Sequence, residues 1–188
     1  MNLCTLGRLT VLALALLVSG SHLVAQDADP IVGTWLLNVA KSTFSPGPAS
    51  KNESRTFIKE TLQTRLTGRG AAEPRAYLSV RQEIKATFQG VDGQGQPTTR
   101  EWTMVDDGRD RPITGDPDAD MLSLTRIDAF TSALTLKRAG RIVITGTQAI
   151  SRDGKVMTVT TNGVNARGQT ISDVAVFEKQ QSLPPSGK

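Results

Sequence analysis

An all-β fold, an antiparallel up-and-down barrel of about eight to ten strands, is what the sequence predicts. Three observations carry that expectation. Tyr77 to Phe88 alternates strictly: Leu78, Val80, Gln82, Ile84, Ala86 and Phe88 fall on one face, and Tyr77, Ser79, Arg81, Glu83, Lys85 and Thr87 on the other. That period of two fits a strand and scatters the same residues around a helix. Turn residues recur between such stretches, at Asp92-Gly93-Gln94-Gly95, Ala139-Gly140, Asp153-Gly154 and Ala166-Arg167-Gly168. No segment carries the apolar period of an amphipathic helix.

The elements follow in chain order. The chain of 188 residues opens with one cation, Arg8, and the apolar run Leu9 to Val18. The run is short for a bilayer span and is followed by Ser19, Gly20 and Ser21, so residues 1–25 read as a signal peptide cleaved after Ala25. Residues 26–180 then form one domain and 181–188 a disordered tail. Asp27 to Ile31 can form one turn. Strands are expected near 31–37, 53–60, 62–67, 77–88, 98–105, 121–127, 130–137, 141–150, 155–162 and 171–179. Segments 42–52 and 68–74 are loops by their Pro, Gly and Ser content.

One hairpin can be read to its register. A three-residue loop Arg138-Ala139-Gly140 pairs Lys137 with Arg141, Leu136 with Ile142 and Leu134 with Ile144, so four apolar residues share one face. Gly90 to Gln96 echoes Gly163 to Gln169, which reads as two similar hairpin turns and not as a duplicated domain. Consecutive hairpins with short turns make a meander. Closing it removes the exposed edges, so a barrel is favoured over a two-sheet sandwich.

The single Cys and the single His, Cys4 and His22, both precede the expected cleavage point. A mature chain without either excludes disulfides, a Cys nucleophile, Ser-His-Asp catalysis and ordinary His or Cys zinc sites. The net charge of +4 is spread along the chain with no basic block, so nucleic-acid binding is not expected. A domain of this size can fold on packing alone.

The first strand reads Val32-Gly33-Thr34-Trp35-Leu36-Leu37-Asn38, followed by Lys41-Ser42-Thr43-Phe44. This resembles the opening of the lipocalin and fatty-acid-binding barrels. The resemblance implies that Gly33 starts the strand and that Trp35 plugs one barrel end against a basic residue of the last strand, for which Lys179 is the candidate. The Arg-x-Tyr that holds a carboxylate in fatty-acid-binding proteins has no counterpart in Val174 to Lys179. Asp107-Gly108-Arg109-Asp110, Thr114 to Asp120 and the ending Asp173 to Lys179 also resemble exported proteins of environmental bacteria. That likeness implies the same barrel and brings no activity.

Candidate chemistry is sparse. Asp116, Asp118 and Asp120 alternate as a calcium loop begins, but Met121 and Ile127 stand where an EF-hand needs Gly and Glu. Glu101, Asp106, Asp107 and Asp110 are carboxylates with no pair singled out for glycoside hydrolysis. Alternation puts Arg100 with Trp102 and Met104, and Arg126 with Leu122 and Leu124. If those faces line a cavity, each guanidinium would need an anionic ligand head; otherwise both snorkel to a rim. The expectation is an exported, periplasmic or extracellular, monomeric and non-catalytic protein. Arg100, Trp102, Met104, Leu124 and Arg126 would bind a small apolar, amphiphilic or fatty-acid-like ligand, with no cofactor, metal, nucleic acid or retained membrane anchor. The alternative is a structural or protein-interaction module with a filled barrel, and an enzyme is a distant third.

Overall fold

The structure is a computed structural model that describes residues 29–68 and 75–181. The expected signal peptide, the loop 69–74 and the end of the expected tail lie outside the described residues. Ten strands run in order: β1 (Gly33–Leu37), β2 (Asn52–Gly68), β3 (Arg75–Val91), β4 (Pro97–Met104), β5 (Arg111–Pro112), β6 (Met121–Arg126), β7 (Thr131–Arg138), β8 (Arg141–Ile150), β9 (Val156–Val164) and β10 (Thr170–Lys179). One 3-10 turn, Val39–Lys41, is the sole helical element among the described residues.

All strands belong to one sheet of order β4-β3-β2-β1-β10-β9-β8-β7-β6-β5, antiparallel throughout. Chain neighbours pair with each other, and the last strand returns to the first. The two edges then meet at a single bridge, where Glu101 and Thr114 exchange two backbone hydrogen bonds of 3.0 Å. The result is a nearly closed up-and-down barrel.

That seam depends on Gly115, which has φ +79° and lies so close to β4 that a Cβ would run into the Thr99 carbonyl. Gly115→Ala should therefore lose about 1–2 kcal/mol from backbone strain alone and more from the opened seam. Urea unfolding, with amide exchange of Glu101 and Thr114, measures it. Unchanged stability and protection would mean that the bridge contributes nothing to closure.

Two boundaries differ from the sequence reading. The expected strands 53–60 and 62–67 are one strand, β2, because Glu60, Thr61 and Leu62 continue its ladder to Glu83, Gln82 and Arg81. The two-residue β5 was not anticipated, being too short to show any alternation. The echoed turns do share one geometry. Asp92 and Asn165 each accept two backbone N–H groups within their own loop, from Gln94 and Gln96 and from Arg167 and Gln169 respectively.

The hairpin β7–β8 corrects the expected register. Its turn has two residues, Ala139 and Gly140, both at positive φ (49° and 77°), and Arg138 faces Arg141 while Lys137 faces Ile142. Such a turn matches the twist of the strands better than a longer loop. An extra residue, Val143, then shifts the phase and brings Ile144 opposite Leu136. Leu134 and Ile144 are buried and Ile142 is 62% exposed, so three of the four expected residues face inward and the bulge turns the fourth out.

β2 and β3 pair over their full length, but β1 flanks β2 only as far as Phe57, and β4 flanks β3 only from Ile84. Residues 58–68 and 75–83 thus extend past the barrel as a two-stranded ribbon. Leu78 and Val80, on the expected apolar face, are 68% and 60% exposed. Ala86 and Phe88 of that same face are buried. The core is packed around Trp35, Phe57, Met157 and Phe177, each under 2% exposed. Phe88 meets Phe57 edge-on at 5.8 Å between ring centroids.

Candidate functional site

One barrel end is shut by the N-terminal approach. Trp35 and Lys179 are direct partners across β1 and β10, so their side chains share a face. The Trp35 Nε1–H donates to the Ile31 carbonyl at 2.8 Å, and Lys179 Nζ donates to the Pro30 carbonyl at 2.8 Å. The ammonium lies 4.9 Å from the centroid of the Trp35 ring, within cation–π range. Burial lowers the Lys179 pKa, with nearby Asp29 opposing it. Gly33, at φ +129°, leaves room for this arrangement, since a Cβ there would sit 2.9 Å from Lys179 Cε.

The opposite end is open. A cavity of about 330 Å³ lies there beneath the loops β1–β2, β3–β4, β5–β6 and β9–β10. Leu136, Ile144, Val159 and Ala175 form an apolar wall of this mouth, and Glu53, Arg55, Arg100 and Asp116 form a charged one.

The charged wall follows from cross-strand register. Arg55 on β2, Phe88 on β3 and Arg100 on β4 stand in one row, and Glu53 precedes Arg55 by two on the same face. Arg55 Nε donates to Glu53 Oε1 at 2.6 Å. The Arg55 guanidinium lies 4.3 Å from the Phe88 centroid and 4.0 Å from the Phe177 centroid, sandwiched between two aromatic faces. Arg100 Nη2 donates to Glu53 Oε2 at 3.0 Å, and its Nη1 to Asp116 Oδ2 at 3.3 Å. Asp116 arrives from the β5–β6 loop, its other oxygen held by the N–H groups of Asp118 and Ala119. Positive and negative groups thus alternate along Arg55, Glu53, Arg100 and Asp116.

The carboxylates of this chain are nearly inaccessible, at 8% for Glu53 and 5% for Asp116, whereas Arg100 keeps 25% of its side chain exposed to the mouth. Burial pushes the Glu53 carboxyl up, but Arg55 and Arg100 outweigh it and hold Glu53 below the usual range. Burial lowers the Arg55 pKa, opposed by Glu53. Burial also disfavours the Arg100 charge, and Glu53 with Asp116 more than restores it. Glu53 is therefore a fixed anion at neutral pH, poorly suited to giving up or taking a proton. At the rim, burial raises the Asp173 pKa, with the Asp118 charge adding to it.

The five predicted binding residues do not converge. Arg100 lines the mouth. Trp102 is half-buried, 4.1 Å from the Phe88 ring, and its Nε1–H has no partner among the described residues. Leu124 is a core residue. Met104 and Arg126 line a separate cavity toward the other end. Neither arginine awaits an anionic head: Arg100 already holds two carboxylates, and Arg126 pairs with Asp106 and Asp29. Glu53, Arg55 and the part played by Asp116 were missed. The legible signal was Glu53-Ser54-Arg55-Thr56-Phe57, whose alternation puts two charges on the face of a core aromatic.

The other carboxylates point apart. Glu101, Asp107 and Asp110 are on the outer surface, the last two paired with Arg111 and Lys137. Asp118 accepts from the Ala166 N–H and Asp120 from the Ala139 N–H. The chain matches no protein-family model and no curated protein.

Proposed function

We propose that the protein is an exported, non-catalytic, lipocalin-like carrier that takes a small amphiphilic ligand into the open mouth of its barrel. The observation that supports this reading best is the cavity itself. Protein interiors normally pack with few voids larger than a water molecule, yet about 330 Å³ stays open between an apolar wall and an ordered charged one. An alkyl or ring portion would lie against Leu136, Ile144, Val159 and Ala175, and a polar head would face the rim carboxylates Asp92, Asp118 and Asp173.

The head is cationic or zwitterionic in this reading. Arg55 and Arg100 are already neutralised by Glu53 and Asp116. Around the rim Asp92, Asp118 and Asp173 stand against Arg167, an acidic excess. A free carboxylate would enter against that field.

Displacement of a fluorescent probe by dodecyltrimethylammonium, dodecylphosphocholine and dodecanoate tests this. The first two should compete and dodecanoate should bind at least about tenfold more weakly, a difference of one charged contact. Ala175→Leu, which puts bulk into the mouth, should reduce binding of all three. Failure of every amphiphile to bind would favour a structural or protein-interaction barrel, and preference for dodecanoate would reverse the head-group assignment.

A further inference from the structure

The ribbon of β2 and β3 leaves the barrel at its closed end, since Glu53 of β2 lines the mouth while Lys59, Gln82 and Glu83 line the cavity toward the other end. From Arg75 to Glu83, β3 has β2 on one side and no strand on the other among the described residues. Which backbone groups face that bare side follows from the seam. Glu101 turns its N–H and C=O to Thr114, so its neighbours Arg100 and Trp102 turn theirs to β3, opposite Phe88 and Ala86. Alternation then points the N–H and C=O of Ala76, Leu78, Val80 and Gln82 to the bare side. The side chains of Leu78 and Val80 are exposed as well. A bare edge with apolar residues is a template for another strand, and proteins guard such edges with Pro, a bulge or a cover. Residues 75–83 contain no Pro, and their register with β2 runs through without a bulge.

We infer that this edge is a self-association site: a second copy of the chain adds its own β3, antiparallel, about a two-fold axis at Ser79, in place of the monomer expected from the sequence. In such an isologous pair the central residue fixes every partner. Centred on Ser79, the middle of the bare edge, the whole of 75–83 is paired. Leu78 stands opposite Val80 of the second copy and Val80 opposite its Leu78, each pair exchanging two backbone hydrogen bonds, and four apolar residues share one face. On the other face Glu83 stands opposite Arg75 and Arg81 opposite Tyr77. Glu83 is bonded by Arg81 of its own chain at 2.8 Å, and this register adds a second opposite charge. Other centres fit less well. Leu78 puts Arg81 opposite Arg75, and Arg81 faces itself; like charges directly opposite are destabilising. Val80 matches no opposite charges and leaves 75 and 76 unpaired, and Gln82 matches Arg81 with Glu83 only over 81–83. The bare edge of β2 lacks any such match: about its middle residue, Gln63, Glu60 meets Leu66 and Lys59 meets Thr67. The Ser79-centred dimer sets the two barrels at opposite ends of a four-stranded ribbon and leaves both mouths uncovered, so it does not depend on what the mouth binds.

Sedimentation of the full chain between about 1 μM and 1 mM should show a monomer–dimer equilibrium, because pairing one edge buries less than a standard interface. Leu78→Lys combined with Val80→Pro should weaken it at least about tenfold, by removing apolar contact and one outward N–H. Both positions are exposed and the Val80 N–H faces away from β2, so the fold should survive, which urea unfolding checks. Cross-linking locates the axis and carries the test if that variant does not fold. In a Cys4→Ser background, Ser79→Cys should oxidise to a covalent dimer, whereas Gln63→Cys, on the bare edge of β2, should not. A monomer throughout the concentration range, association unchanged in the double variant, or cross-linking at position 63 in place of 79 would overturn the assignment. So would a monomer that co-sediments with phosphatidylglycerol vesicles through Leu78 and Val80, which would give the ribbon to a lipid surface instead.

Discussion

Glu53→Gln is expected to cost about 3–5 kcal/mol, because it removes the one anion shared by two buried guanidiniums. In the wild type each oxygen of Glu53 serves a different arginine, Arg55 at 2.6 Å and Arg100 at 3.0 Å. Arg100 keeps Asp116 as a second partner, but among the described residues Arg55 has no other carboxylate within salt-bridge distance. Its cation would be left between two aromatic rings with no counter-charge. Urea unfolding measures the loss. A cost below about 1 kcal/mol, the ordinary scale of a single neutral hydrogen bond, would show that the chain of charges contributes no more than a surface pair. The double replacement Glu53→Met with Arg55→Met should be less damaging than Glu53→Gln, since buried ion pairs can often be exchanged for well-packed apolar groups.

The same residue sets a pH dependence. Glu53 is held below its ordinary value of 4.5, so the folded state releases its proton more readily than the unfolded state. Its stabilisation is fully present above the unfolded value and is lost as pH falls through the lower folded one. Asp173, raised by burial, acts the other way: its favourable contribution is present below its ordinary value of 3.8 and disappears as pH rises through the folded one. Acid unfolding of the wild type should therefore be steeper than that of Glu53→Gln. Parallel curves would mean that Glu53 does not titrate with unfolding.

Trp35→Ala is expected to cost a similar amount, about 3–5 kcal/mol, as truncation of a fully buried aromatic does. Trp35 has no exposed surface, and its indole N–H ties the barrel to the Ile31 carbonyl. Lys179 would lose the ring beneath it, though it keeps its bond to the Pro30 carbonyl. Lys179→Met, which keeps the stem and removes the charge, should cost much less. Urea unfolding of all three proteins decides the matter. A Trp35→Ala loss under about 0.5 kcal/mol, the range of surface substitutions, would mean that Trp35 does not hold the closed end together.

What could be read from the sequence is what local chemistry controls. Strict alternation in 77–88 marks a strand wherever it lies, and turn residues such as Ala139-Gly140 mark a hairpin. A run of such hairpins leaves little besides a meander, and a meander that avoids bare edges closes. The barrel, most strand positions and the shared face of Arg100, Trp102 and Met104 therefore followed from neighbours along the chain. Alternation assigns residues to faces but does not say what covers a face. Leu78 and Val80 look like Ala86 and Phe88 in sequence, and only the lengths of β1 and β4 leave the first two in water. The bulge that turns Ile142 out and Ile144 in is one residue, set by how the strand twist meets a two-residue turn. The candidate site lies furthest from local reading. Glu53 meets Arg100 across 47 positions, and Arg100 meets Asp116 only because the barrel seam brings the β5–β6 loop beside β4. Whether an arginine on an apolar face is unpaired, rim-bound or neutralised is decided by which distant carboxylate the closing sheet delivers, and that is a property of the tertiary structure alone.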